Sequence, residues 1–252
     1  MKSWSVVMIP LLELESLSLS LGSKILLNRL TFSLFPRQRC AIVGASGSGK
    51  SLTLATIGRL LPRDFPWKPE GSIRWNGEEL LNMPKERFRK IRQGGIATVL
   101  QESMSCLNPS MKIGKQIAEV AQKICPTEWL EAVGLPRNLQ YCFPHELSGG
   151  MKQRVVLAIA LASKPRLLLA DEITSALDTH SQEQIIDLID RVCSDHNIAL
   201  LLVTHDFSVA RALCADTLVM YQGAIVEQAA TSKILDLPQH FHSRQLVEAI
   251  FL

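Results

Sequence analysis

The segment Gly44-Ala45-Ser46-Gly47-Ser48-Gly49-Lys50-Ser51-Leu52 has the composition of a loop that holds phosphate. It follows the apolar run Cys40 to Val43 and opens a helix-compatible stretch. Glycines let the backbone wrap until successive amides point inward, and the following helix adds the positive end of its dipole. Lys50 is placed to reach the β and γ phosphates, and Ser51 to offer a hydroxyl to Mg²⁺. A second run, Leu167-Leu168-Leu169-Ala170-Asp171-Glu172, is an apolar strand that ends in two carboxylates. Asp171 suits a Mg²⁺ held through its water shell, and Glu172 suits a general base that polarises the attacking water. An acidic strand end alone is often a solvated turn, but a phosphate loop in the same chain favours the chemical reading. Leu147-Ser148-Gly149-Gly150-Met151 repeats the physics elsewhere. Ser148 is a helix cap, and the two glycines expose amides at the positive end of that helix.

These groups need rigid elements behind them. The runs Cys40 to Val43, Ile96 to Leu100, Leu167 to Ala170 and Ala199 to Val203 are short, apolar and bounded by polar loops, as buried parallel strands are. Leu12, Leu14, Leu17, Leu19 and Leu21 alternate with polar residues except for a slip at Glu15-Ser16. That pattern predicts two edge strands of a small antiparallel sheet, joined by a bulge or turn. Helical periods fall around Ile113 to Ile124, Trp129 to Val133 and Met151 to Ala162, with Pro109, Pro126, Pro136 and Pro144 as punctuation, so residues 101–164 read as an inserted helical subdomain. Thr179 with Gln182 has the form of a capping box ahead of the apolar face Ile185, Ile186, Leu188, Ile189 and Val192.

The 252 residues, 47% of them hydrophobic, are enough to bury a full core. A net charge of +3, from 27 basic and 24 acidic residues, gives no basic stripe and argues against a nucleic-acid partner. Six scattered cysteines, with no CxxC pair, suit a reduced cytosolic chain. Lys2 followed by Val6 to Leu12 faintly imitates a signal peptide, but Pro10, Glu13 and Glu15 favour an N-terminal strand. No apolar run approaches the roughly 20 residues of a membrane helix, so any membrane association is expected to come through partner subunits.

With Ser148-Gly149-Gly150 in place, the chain resembles the ATP-binding cassette (ABC) family, whose signature reads LSGGQ or a close variant. The resemblance implies an α/β P-loop NTPase: a RecA-like core with a mostly parallel sheet, a small N-terminal antiparallel β subdomain and an inserted helical subdomain. The implied division of the single 1–252 domain is a core of 1–100 and 165–230, the helical part 101–164 and a C-terminal helical segment 231–252. In that family the signature of one subunit faces the γ-phosphate on the other subunit's loop, so a head-to-tail dimer enclosing two ATP molecules is implied. Gln101 resembles the Q-loop glutamine, which contacts Mg²⁺ and the water. Ser175-Ala176-Leu177-Asp178 resembles the D-loop, with Asp178 working across the dimer. His205 resembles the switch histidine, which hydrogen-bonds the γ-phosphate. Ile173 replaces the family's usual Pro after the catalytic Glu, and Leu21 occupies the place of its adenine-stacking aromatic.

Phe143-Pro144-His145-Glu146-Leu147-Ser148-Gly149-Gly150-Met151, Ser105-Cys106-Leu107-Asn108-Pro109, Gly114 to Ile117 and Pro238 to Ile250 narrow the likeness to ATPases of dipeptide, oligopeptide and nickel importers. Such a subunit works with a second ATPase, a paralogue or an identical copy, with two integral-membrane permeases, and with an extracytoplasmic substrate-binding protein. A permease helix is expected in a cleft lined by Gln101 to Asn108. Peptide is the first cargo and nickel the alternative. With no Cys after Cys214, no iron–sulfur cluster is expected. The rival readings are a soluble ABC ATPase of DNA repair or translation and a non-hydrolysing module. The first generally carries long coiled coils or two cassettes, and Lys50, Asp171, Glu172 and His205 speak against the second.

Overall fold

In this computed structural model, residues 9–100, 106–121, 125–174 and 178–249 are described. The alternating leucines form one strand, β1 (Leu12–Leu21), with Leu12, Leu14, Leu17 and Leu19 buried. The slip is a bulge, with Ser16 at φ 49° and the register shifted between Glu15 and Ser18 against β4 (Trp67–Trp75). Gly71 of β4 faces the bulge, and any Cβ there would overlap the Ser16 carbonyl. The expectation of two edge strands is therefore corrected. β1 is continuous and lies inside the antiparallel sheet β2-β1-β4-β5, where β2 is Lys24–Leu34 and β5 is Glu78–Glu79. A bulge lets one strand change phase without ending, because one extra residue re-aims the side chains that follow. Of the strand expected over Val6 to Leu12, residues 6–8 lie outside the described residues, Ile9, Pro10 and Leu11 precede β1, and Leu12 is its first residue.

The four apolar runs become β3 (Arg39–Val43), β6 (Ile96–Val99), β7 (Leu167–Asp171) and β8 (Ala199–Thr204). With β9 (Asp216–Tyr221) and β10 (Ala224–Ala230) they make a six-stranded sheet of order β10-β9-β3-β8-β7-β6. All neighbours in it pair in parallel except β9 with β10. Period-2 alternation splits the core between its faces. Cys40, Ile42, Leu167, Leu169, Leu201 and Val203 pack with the β1 leucines, and Ala41, Val43, Leu168, Ala170, Leu200 and Leu202 pack with helices.

Between β6 and β7 the described residues carry α3 (Ile113–Val120), α4 (Pro126–Ala132) and α5 (Gly149–Ala162), the latter preceded by short 3₁₀ turns at Arg137–Tyr141 and Pro144–Glu146. The remaining helices are α1 (Lys50–Ile57), α2 (Lys85–Arg92), α6 (Thr179–Asp195), α7 (Phe207–Leu213), α8 (Thr231–Asp236) and α9 (Phe241–Glu248). The expected capping box at Thr179 shifts by one residue: Asp178 is the N-cap of α6, accepting from the Ser181 amide at 3.0 Å. Its carboxylate outcompetes a Thr hydroxyl because the extended backbone at Asp178 aims it at the orphan donors of the first turn. No helix among the described residues is long and apolar enough to cross a membrane.

Candidate active site

The site gathers at the C-terminal edge of the parallel sheet, where β3, β7 and β8 release their chains. From β3 the backbone passes through Gly47 (φ 77°) and Gly49 (φ 102°) into α1. At Gly49 the positive φ strains any side chain, and a Cβ would come within 2.8 Å of Leu27 Cδ2 on β2, which would have to shift. Ser46, Gly47, Gly49, Lys50, Ser51, Leu52 and Glu172 line a cleft of about 400 Å³ over this loop. Gly44, Ala45 and Ser48 complete the turn beneath it, with the Ser48 amide donating to the Ala45 carbonyl at 3.2 Å.

Lys50 is 5% exposed, and its Nζ donates to the carbonyls of Gly44 (2.7 Å) and Ala45 (3.0 Å). Burial lowers its pKa, while the carboxylates of Glu172 and Asp171 pull it back up. The ammonium is therefore poorly solvated and strongly disposed to meet an incoming anion. Ser51 Oγ donates to Asp171 Oδ1 at 3.0 Å, which sets two hard oxygens side by side at the cleft. Such a pair fits Mg²⁺, which takes few protein oxygens and fills its other positions with phosphate and water.

Asp171 is 4% exposed. Burial raises its pKa, the Ser51 hydrogen bond lowers it, Glu172 adds to the rise and Lys50 opposes it. An acid whose folded-state pKa is raised removes stability once ionised. The loss grows as pH climbs through the folded-state value and vanishes below the unfolded value near 3.8. Asp171→Asn is accordingly expected to unfold at a higher temperature than the parent chain at pH 7 without nucleotide, with the gap closing toward pH 4. A lower melting temperature for the variant at pH 7 would contradict this electrostatic account.

Glu172 leaves β7 in the left-handed region, at φ 46°, with its amide donating to the Val203 carbonyl of β8 at 2.9 Å. This turn points its carboxylate across the strand gap, where Oε1 lies 3.1 Å from His205 Nδ1. His205 follows β8 directly, and Asp206 then caps α7 by accepting from the Ser208 amide at 2.7 Å. Ile173 is 5% exposed and packs into the helix-side core, so the residue that replaces the expected Pro acts as an apolar anchor for the turn.

The sequence-derived residues thus divide. Gly44 to Leu52, Asp171, Glu172 and His205 converge. Ser148, Gly149 and Gly150 do not line that cleft. Ser148 caps α5, its Oγ accepting from the Met151 amide at 3.3 Å, and a Cβ on Gly149 or Gly150 would meet nothing within 4 Å. Asp178 is engaged by the Ser181 amide and hydroxyl (3.0 and 2.7 Å), the hydroxyl bond foremost in holding its pKa below the ordinary value. Gln101 and Ser175-Ala176-Leu177 lie outside the described residues. The sequence reading missed the wall behind the loop. A Cβ on Gly44 would overlap the Met220 carbonyl, Thr53 Oγ1, which donates to the Gly49 carbonyl at 2.9 Å, lies 3.8 Å from Met220 Sδ, and the Gly223 amide donates to the Ser48 carbonyl at 2.9 Å. Tyr221-Gln222-Gly223 has the look of a hairpin turn, and that was the only available signal.

A glycine-rich strand-to-helix loop with a buried lysine, beside a second strand tipped by two acids, defines a nucleoside-triphosphatase of the P-loop class. Comparison with known proteins takes this further. The ABC transporter family model matches residues 27–175, and the chain belongs to that family. It is 38% identical over 257 residues to the oligopeptide transport ATP-binding protein OppD of Haemophilus influenzae, covering 96% of this chain and 79% of that one. To the peptidoglycan transport ATP-binding protein YejF of Agrobacterium fabrum it is 36% identical, covering 95% of this chain but only 47% of the relative, so it spans about half of that protein. Among solved structures, the dimeric post-hydrolysis state of the ATP-binding cassette MJ0796 bound to ADP and phosphate aligns with TM-score 0.75 and 26% identity, over 87% of this chain and 98% of that one. The chain is an ATP-binding, ATP-hydrolysing cassette.

Proposed function

We propose that this cassette powers import of dipeptides or oligopeptides through two partner permeases, as a peripheral subunit on the cytoplasmic side of the membrane. The reading is carried by the 37–38% identity to oligopeptide transport ATP-binding proteins of three bacteria, which extends over 91–96% of this chain. Cargo would be delivered by an extracytoplasmic binding protein and would never touch this subunit.

The chain's own residues divide the work. The amides of Gly44 to Ser51 and the Lys50 ammonium would grip the β and γ phosphates, and Ser51 and Asp171, with Gln101, would hold Mg²⁺. The ion would neutralise charge on the phosphate oxygens. Glu172 would take a proton from the attacking water, and His205 would orient Glu172 and reach the γ-phosphate. Ser148, Gly149 and Gly150 would close over the phosphates of a second ATPase subunit, with Asp178 at the same seam. The open space around the two glycines supports this, because their lack of side chains answers no crowding within the chain itself. Closing and opening of that dimer would move the permeases.

The test is co-purification from membranes followed by uptake into vesicles of labelled peptide or of Ni²⁺. Peptide uptake that depends on ATP and on this chain is expected. Isolation with ribosomes or DNA, without permeases, would overturn the transport reading, and Ni²⁺ uptake alone would replace peptide as cargo.

A further inference from the structure

The wall behind the phosphate loop is continuous with the C-terminal helix. β9 and β10 are joined by Gln222-Gly223, both at positive φ (46° and 79°), a two-residue turn whose hand matches the twist of its strands. Gly223 makes two bridges from one peptide position. Its amide donates to the Ser48 carbonyl (2.9 Å) and its carbonyl accepts from the Asn28 amide (2.8 Å), so the turn ties the phosphate loop to β2. A Cβ at Gly223 would overlap the Leu26 carbonyl. Ser48 is buried, and its hydroxyl has no hydrogen-bond partner among the described residues, so the backbone bond to Gly223 is its tie to this wall.

The same hairpin is held from its other side by α9. The Tyr221 ring lies flat on the His242 imidazole, with centroids 3.4 Å apart and planes 20° from parallel. On β10, Glu227 accepts from the amides of Gln239 (2.9 Å) and His240 (2.8 Å), which fixes the start of α9. Val247 on the same helix is 7% exposed and enters the helix-side core. The path from α9 to the phosphate loop therefore runs through one ring stack, one turn and one hydrogen bond.

We propose that the Gln222–Gly223 turn is the positioning element of the phosphate loop, and that α9 sets nucleotide affinity by steadying this turn through the Tyr221–His242 stack. Loop amides converge on phosphate only while the loop's carbonyls point away and are satisfied, and hydrogen bonds weaken steeply with misalignment. Loss of the stack lets the hairpin tilt, which misaims the amides around Ser48. Asp171, Glu172 and His205 sit at the ends of β7 and β8, away from this hairpin, so grip on ATP suffers and the chemical step does not. The inference rests on the ATP site alone and is indifferent to cargo.

The full chain with His242→Ala or His242→Phe tests it, with affinity read from a fluorescent ATP analogue and amide exchange followed at Gly223. Losing one aromatic pair corresponds to about a threefold to tenfold weaker Kd in His242→Ala, with exchange at Gly223 faster by a similar factor. KM for ATP should rise in step while kcat at saturation stays within about twofold, the pattern of lost uniform binding. His242→Phe, which restores a flat ring, should recover parental affinity. Unchanged affinity and exchange in His242→Ala would overturn the proposal. So would a His242→Phe variant no better than His242→Ala, or a kcat that falls as far as affinity does.

Discussion

Replacing Glu172 with Gln is expected to slow ATP turnover by about 10² to 10⁴, a barrier rise of roughly 3 to 5 kcal/mol, while ATP still binds. The amide keeps the length and planarity of the carboxylate and can still meet His205 Nδ1, now 3.1 Å from Glu172 Oε1. It also keeps the backbone bond from residue 172 to Val203. It cannot accept a proton from water. The phosphate loop lies on β3 and α1, supports that the substitution leaves untouched, so the donors that bind ATP keep their aim. Phosphate release at steady state, set beside binding of a fluorescent nucleotide, separates the two effects. Turnover within tenfold of the parent would remove Glu172 from the role of base, and joint loss of binding would mean that the strand end had collapsed.

Gly149→Asp should be as severe for turnover and nearly silent for folding. A side chain at Gly149 meets nothing within 4 Å, and an acid in the first turn of the 14-residue helix α5 favours its positive end. The isolated chain should fold, melt and bind ATP as the parent does. Across a closed dimer the new carboxylate would confront the triphosphate held by the partner, and like charges in a site shut off from water repel strongly. Loss of at least about 10² in turnover is expected, comparable with removing donors from an anion site. Unimpaired hydrolysis in this variant would sink the two-subunit site. A lowered melting temperature would instead show that Gly149 serves the fold.

What was legible in the sequence follows from how local its causes are. The four parallel strands stood out because each is a short branched apolar run that ends where a loop begins. The phosphate loop, Asp171, Glu172 and His205 were legible for a related reason, since they sit at the ends of those strands. Ser16 signalled a bulge, but not that β1 lies between two partners, because edge or interior position depends on β4. That strand, Trp67–Trp75, carries Pro69 and Gly71 and shows no clean alternation. The cap of α6 was misplaced by one residue because Asp178 and Thr179 are both good caps, and backbone conformation decides between them. Met220 and Gly223 were invisible for a different reason: their contacts with Gly44 and Ser48 depend on the pairing of β3 with β9, which brings distant residues together through register alone.

Glu172 has one further consequence, visible in its φ of 46°. Left-handed backbone costs a non-glycine residue roughly 1 to 2 kcal/mol, a cost that glycine escapes and asparagine bears lightly. Measured by persistence of the folded chain alone, this position would drift toward glycine. Under the proposed role as base, glutamate at residue 172 exchanges durability of the fold for turnover.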